Sequence, residues 1–114
     1  MDSINKLDKL RETVISVLEG LANPPPSYGQ VEIQCVFDTV RDHYQLVSVG
    51  WEGENRAFGT FVHVDIRDGK IWIQHDGTDF DVAARLLEHG IDRQQIVLGF
   101  QSPGRRPFTD YAAG

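Results

Sequence analysis

Histidine and aspartate residues lie close together in the middle of the sequence and could act as acid–base groups or metal ligands. His63 and Asp65 are separated by one residue, and His75 and Asp76 follow on the next predicted strand. Alternate residues of a strand face the same way, so His63 and Asp65 should share one face. An enzyme that uses His63, Asp65 or His75 on that face is one hypothesis, and it requires a concave pocket around them.

Metal binding is not predicted from these residues. A structural zinc site normally closes with nitrogen or sulfur ligands at short spacing, and the sequence has neither a cysteine pair nor two histidines at i, i+4 spacing. Polar side chains on the solvated face of an antiparallel sheet are the ordinary explanation of such a group. We therefore expect no metal ion and no cofactor.

Three other kinds of catalytic site are also not predicted. Asp68-Gly69-Lys70 resembles the acid-x-Lys ending of nuclease sites, but the Asp-Gly pair predicts the tip of a hairpin. The sequence has no Gly-x-Ser-x-Gly elbow, and Cys35 alternates inward like a small core residue. The glycines are scattered among strands and turns, so no phosphate-binding loop is predicted. We expect no catalytic residue.

Basic and aromatic residues near the C-terminus are candidates for binding another protein. Two adjacent arginines can bind a phosphate or an acidic partner. Aromatic residues in a segment without its own core either pack back onto the sheet or dock onto a partner. With two residues near the start of the second predicted strand, the candidate partner-binding residues are Arg41, His43, Arg105, Arg106, Phe108, Thr109 and Tyr111.

Length and composition limit the classes of protein to which the chain can belong. Its 114 residues predict a single domain over residues 1–114. Its 17 acidic and 11 basic side chains give a net charge of −6, which argues against the nonspecific phosphate attraction of nucleic-acid binders. The single Cys35 and the lack of a signal-like or membrane-spanning apolar segment predict a cytoplasmic protein that does not associate with membranes.

The first element that must position these residues is a helix over residues 3–22. Asp2 or Ser3 can cap its start, and Asn23 followed by three prolines ends it. The stretch 24–29 is predicted to be a stiff connector. One stripe of the helix carries apolar residues at spacings of three and four, namely Ile4, Leu7, Leu10, Val14, Val17, Leu18 and Leu21.

The middle of the sequence changes to a period of two and predicts four strands, over residues 30–37, 43–51, 57–66 and 70–74. The Asp68-Gly69 pair is typical of a two-residue type I′ hairpin turn. Because the other connections are also short, neighbouring strands should run antiparallel and form a meander. Gly50 and Gly59 mark bulges or places where two backbones approach closely.

The last third of the chain predicts a second helix, a fifth strand and a tail. Thr78 and Asp81 resemble a capping box, so the helix should begin at Thr78 and end near Gly90. Residues 96–100 form a short apolar run that we interpret as a fifth strand, and residues 101–114 should form an ordered or partly ordered tail without regular structure. The predicted fold class is α+β.

Several stretches resemble one known family. They are IQCVFDTVRDHYQLVSVGW at residues 33–51, VHVDIRDGKIWIQ at 62–74, IVLGF at 96–100, and the ending that contains Ser102-Pro103, Arg106, Thr109 and Ala112. The chain resembles the XisI family, the cyanobacterial fdxN-element excision controlling factor proteins. The resemblance covers almost the whole chain and implies an XisI-like fold.

The resemblance also implies a function. In that family's setting, XisI works with XisH and a site-specific recombinase to excise an element that interrupts a nitrogen-fixation operon during heterocyst differentiation. XisI-like proteins also occur elsewhere, paired with XisH-like proteins that resemble nucleases. We therefore expect a non-enzymatic regulatory protein that binds an XisH-like protein and associates with DNA and a recombinase only indirectly. A homo-oligomer is compatible with this role, and a directly DNA-binding directionality factor with a localised positive face is the alternative.

Overall fold

Helix α1, Asp2–Ala22, has the amphipathic character that the sequence predicts. The structure is a computed structural model that describes residues 2–22 and 30–114, with the side chains of residues 2–5 left out. The side chains of Asp2 and Ser3, on which the predicted helix cap depends, and the predicted proline connector lie outside the described part. The apolar stripe of α1 is buried in the core through Leu10, Val14, Val17 and Leu18.

One five-stranded sheet forms the rest of the core. Its strands are β1 (Gln30–Asp38), β2 (His43–Glu52), β3 (Asn55–Arg67), β4 (Lys70–Asp76) and β5 (Ile96–Leu98). They lie side by side in that order. The first four strands pair antiparallel, which confirms the predicted meander, and β5 pairs parallel with β4. A parallel pair needs a crossover connection, and helix α2 (Val82–Glu88) lies within it.

The turn between β3 and β4 has the predicted backbone. Asp68 has a φ of 54° and Gly69 a φ of 74°, which is the positive pair that a type I′ turn requires. Asp68 is therefore a turn residue and not part of a nuclease-like triplet within a strand.

The two faces of the sheet have different environments. The inner face packs with α1 and α2, and buries Tyr44, Leu46, Val62, Val64, Ile66, Ile71 and Ile73. The opposite face, here called the outer face, carries the alternate residues of each strand. From β1 to β3 it includes three of the exposed large apolar side chains, Val36, Trp51 and Phe58.

Helix α2 begins four residues later than the sequence predicts. Asp81 is its N-cap and accepts a hydrogen bond from the Ala84 N–H, so Asp81 precedes the helix. Thr78 instead donates its hydroxyl to Asp76 at 2.6 Å. The other Asp76 oxygen accepts the Val82 N–H at 2.8 Å. The predicted capping box was wrong because the Asp76 carboxylate takes up the free N–H groups on both sides of this turn.

Two side chains differ from the predicted burial. Cys35 is exposed and not a core residue, because β1 is an edge strand. The sequence also predicts Tyr44 to be one of the exposed aromatic residues, but it is fully buried. The tail also has more structure than expected, since Arg106–Phe108 forms a 3-10 helix and Ala112 bridges to Val97 of β5.

Gly50 is expected to tolerate no side chain. A Cβ atom there would lie 1.9 Å from the carbonyl oxygen of Gln30 on the paired strand, so Gly50→Ala must push β1 away from β2. We expect a loss of about 2 kcal/mol in the free energy of unfolding, as for other overpacked sites. Urea denaturation measures it.

Gly20→Ala is the matched control for that substitution. A Cβ at Gly20 meets nothing within 4 Å, and alanine is the better helix former, so this variant should be more stable than the parent. Equal stability of the two variants would contradict the close approach of β1 and β2 at Gly50.

Candidate functional site

Strands β2 and β3, which form a hairpin, bring two histidines and one aspartate together on the outer face. His43, the first residue of β2, pairs directly with Asp65 of β3. His63 lies two residues before Asp65 on the same strand and faces the same way. We call these three residues the His–Asp cluster.

One carboxylate oxygen lies at the centre of the His–Asp cluster. The Nδ1 atom of His43 and the Nε2 atom of His63 each lie 2.7 Å from Oδ1 of Asp65. The amide of Gln74 on β4 donates to the other oxygen, Oδ2, at 3.3 Å. The imidazole rings meet edge to face, with their centroids 6.0 Å apart. Three adjacent strands thus fix the orientation of the carboxylate.

Burial and hydrogen bonding act in opposite directions on Asp65. Its side chain is only 18% exposed, and that burial alone would raise the pKa of the carboxyl. The hydrogen bonds from His43 and His63 outweigh burial and hold the pKa of Asp65 below its usual value. The cluster opens toward solvent on its His43 side, since that side chain is half exposed.

The structure brings together some of the predicted residues and separates others. His63 and Asp65 share a face as expected, and they are joined by His43, which the sequence predicts as a partner-binding residue. His75 pairs with His63 in the β3–β4 register, but it is exposed and makes no side-chain hydrogen bond within residues 30–114. Arg41 lies in the β1–β2 turn, where its side chain is 75% exposed and pairs with Asp38.

A second network fixes the start of β2 from the inner side. Arg11 of α1 donates two hydrogen bonds to the Asp42 carboxylate, at 2.8 and 3.1 Å. The buried Tyr44 hydroxyl donates to the same carboxylate at 2.8 Å. The Arg11 hydrogen bond, followed by that of Tyr44, outweighs burial and lowers the pKa of Asp42. This network ties α1 to the residue that precedes His43.

Tyr44→Phe is expected to lower the free energy of unfolding by about 1.5 kcal/mol at pH 7, because it removes a hydrogen bond to a charged acceptor. The pKa of Asp42 is lower in the folded than in the unfolded protein. The stabilisation by the ionised Asp42 is therefore complete above the unfolded-state pKa of about 3.9, and it is lost as the pH falls through the folded-state pKa. Denaturation of both proteins across that range measures it. Tyr111→Phe is the control, since no described residue hydrogen-bonds the Tyr111 hydroxyl, and an equal loss there would refute the account.

Arg106 is committed to packing the tail. Its guanidinium lies 5.2 Å from the centre of the Trp72 ring on the outer face. It also donates to the carbonyl oxygens of Gln101 at 3.0 Å and Gly99 at 3.3 Å. The tail thus covers the outer face at β4, and Arg67 stacks on the same ring, at 4.3 Å.

The other tail candidates fall into two groups. The Thr109 hydroxyl donates to the carbonyl of Arg106 at 2.9 Å and accepts the Tyr111 N–H at 3.2 Å. Tyr111 is partly buried against the core. Arg105 is exposed, and Phe108 is 89% exposed, so these two remain available to a partner.

A further group, not predicted from the sequence, lies at the opposite end of the β2–β3 hairpin. The guanidinium of Arg56 lies 5.1 Å from the ring centre of Trp51 and 5.4 Å from that of Phe58. Trp51 and Arg56 are paired across β2 and β3. We call this group the Trp51–Arg56–Phe58 patch. The two-residue Gly53-Glu54 turn could have indicated the pairing, because it sets the register beside it.

A model of the XisI protein family matches residues 1–113 of this chain. The chain belongs to the XisI family. The assignment confirms the resemblance found in the sequence. No helix within residues 2–22 and 30–114 is both long enough and apolar enough to cross a membrane.

Two crystal structures of XisI proteins from Anabaena variabilis are similar to this chain. One, an XisI-like protein, is 44% identical, with a TM-score of 0.87 over 95% of this chain and 99% of that protein. The other, the fdxN element excision controlling factor XisI, is 29% identical, with a TM-score of 0.72 over 96% of this chain and 99% of its own. No curated protein sequence matches the chain significantly. The α+β class with its five-stranded sheet agrees with these XisI structures.

Proposed function

We propose that this protein is a non-enzymatic accessory factor that controls the excision of a DNA element by binding an XisH-like, nuclease-like protein. The observation that carries the proposal is membership of the XisI family together with similarity to a protein named as an excision controlling factor. The proposal places the protein in the cytoplasm, where excision takes place.

Charge favours action through a partner over direct action on DNA. A net charge of −6 repels the phosphate backbone at long range. Regulation of excision then requires a second protein that contacts DNA itself. In this role the XisH-like protein binds both this chain and the element, and a recombinase completes the rearrangement.

The outer face supplies a surface suited to such a partner. Trp51 and Phe58 are 47% and 71% exposed, and Arg56 stacks on both. Tryptophan and arginine are the residues that most often dominate binding energy at protein interfaces. The helices pack on the inner face, so they leave this patch accessible. Phe108 and Arg105 add a second exposed contact on the tail.

Co-elution tests the partner directly. The purified chain and an XisH-like protein, the one encoded beside it where there is one, are mixed at micromolar concentration and separated by size exclusion. We expect one complex peak that contains both proteins. Two independent peaks at that concentration would contradict the proposal.

The alternative of direct DNA binding has one structural observation in its favour. Arg56, Arg67 and Arg106 all stack on aromatic rings of the outer face, and such pairs also occur in single-strand binding sites. A gel-shift experiment separates the two functions. The chain alone is mixed with single-stranded or with double-stranded DNA at several salt concentrations. We expect no shift at about 150 mM salt, whereas a salt-dependent shift without partner would support the alternative.

A further inference from the structure

The His–Asp cluster has the donor set and the convergence of a metal site. The ligand atoms of His43, His63 and Asp65 all lie within 4.8 Å of one another. Among the described residues, these three form the group of histidine and acidic side chains that is close enough to hold a metal ion. Two imidazoles and one carboxylate suit divalent first-row metals such as zinc, cobalt, nickel and iron(II). We propose that this cluster binds one divalent transition-metal ion, with water or a partner side chain in the remaining coordination positions.

The hydrogen-bonded arrangement is close to a coordinating one. Both ring nitrogens point at the same Asp65 oxygen from 2.7 Å. A tetrahedral metal at about 2.0–2.2 Å from each ligand atom sets those atoms about 3.3–3.6 Å apart, so each ring nitrogen would need to move away from the Asp65 oxygen by less than about 1 Å. Each imidazole then presents its unprotonated nitrogen to the metal and carries its proton on the other ring nitrogen. The half-exposed His43 ring has room for this adjustment.

The surroundings of the cluster hold its ligands in place. Asp65 is the most buried of the three, and Gln74 binds the carboxylate oxygen that the histidines leave free. Such an outer hydrogen bond orients a metal ligand and tunes its affinity. The ligands lie on paired strands and not on loops, which favours a fixed geometry.

Two β-bulges flank the cluster and make it possible. The β2–β3 register shifts by one residue between Leu46 and Val47, and the β3–β4 register shifts between His63 and Val64. Without the first shift, His43 would pair with the neighbouring core residue Val64 and not with Asp65. Bulges are frequent beside functional sites, where they re-aim a side chain.

Exposure at the cluster decides which chemistry the metal would support. His43 is 50% exposed and His63 30%, so the free coordination positions face solvent on the outer face. A site with three protein ligands and open positions binds water or an external donor. The proposed ion could therefore join this face to a carboxylate or imidazole of a docking protein. Metal binding itself rests on the cluster alone and not on the proposed partner.

Titration with zinc and cobalt chlorides tests the site, using full-length protein without a histidine tag. Isothermal titration calorimetry gives the stoichiometry, and the visible absorption of bound cobalt reports nitrogen and oxygen ligands. We expect one ion per chain and at least a roughly tenfold weaker affinity in each of His43→Gln, His63→Gln and Asp65→Asn, a loss of the size that altered ligand shells produce.

The two remaining histidines provide matched controls. His89→Gln removes an exposed imidazole at the end of α2, remote from the cluster. His75→Gln removes the exposed imidazole that pairs with His63 but is not one of the three ligands. Both variants should bind zinc and cobalt like the parent. Circular dichroism and urea denaturation verify that every variant is folded. The proposal is overturned if the folded parent binds neither ion at 100-fold molar excess, or if the control variants lose as much affinity as the cluster variants.

Discussion

Replacement of Leu46 by alanine is expected to lower the free energy of unfolding by about 3 kcal/mol. Leu46 is fully buried on the inner face and pairs with the equally buried Val62. Truncation loses the transfer free energy of the removed methyl groups and leaves a cavity beneath helix α1. Urea denaturation followed by tryptophan fluorescence measures the change, because both tryptophans lie in the sheet.

Phe58→Ala is the control for Leu46→Ala on the opposite face. Phe58 is 71% exposed, so its truncation should change stability by less than about 0.5 kcal/mol. A loss in Phe58→Ala as large as in Leu46→Ala would mean that the outer face is covered by another part of the molecule.

The second large effect is expected on partner binding. If the Trp51–Arg56–Phe58 patch docks onto an XisH-like protein, Phe58→Asp should weaken the complex by roughly 30-fold, which is about 2 kcal/mol of binding free energy. The substitution removes an exposed aromatic group and places a carboxylate in an apolar contact, where burial of an unpaired charge is costly. The affinities are measured from the binding of the purified parent and variant proteins to the surface-immobilised XisH-like protein.

Ser16→Asp separates the effect of the patch from that of net charge. Ser16 is exposed on helix α1, on the other side of the sheet, and its substitution adds the same negative charge. Its affinity for the XisH-like protein should match that of the parent. Equal weakening by Phe58→Asp and Ser16→Asp would show that overall charge, and not this patch, governs the complex.

Much of the fold follows from local patterns in the sequence. The spacing of Leu10, Val14, Val17 and Leu18 predicts the buried stripe of α1, and the Asp68-Gly69 pair predicts the hairpin turn that the structure contains. These features depend on backbone preferences and periodicity over a few residues. The start of α2 was misplaced because the Asp76 carboxylate, outside the helix, supplies the hydrogen bonds that the capping-box pattern had assigned to Thr78.

The His–Asp cluster could be predicted only in part. The alternation of β3 places His63 and Asp65 on one face, but the partnership of His43 depends on where the β2–β3 register shifts. A bulge inserts one residue into one strand and moves all later pairs, and no local pattern marks its position here. Cys35 pairs with the buried Leu46 and so faces the inner side as predicted, but it is exposed and not a core residue. Alternation gives the direction of a side chain but not what covers an edge strand.

Methyl NMR spectroscopy of the isotopically labelled protein tests most directly whether the outer face binds a protein partner. On addition of an XisH-like protein, we expect the methyl signals of Val47 and Val49, which lie on the outer face between the cluster and the patch, to shift or broaden. Those of Leu21 and Leu87, which lie on the helices, should stay unchanged. Changes confined to the helix methyls, or none at saturating partner, would contradict the account.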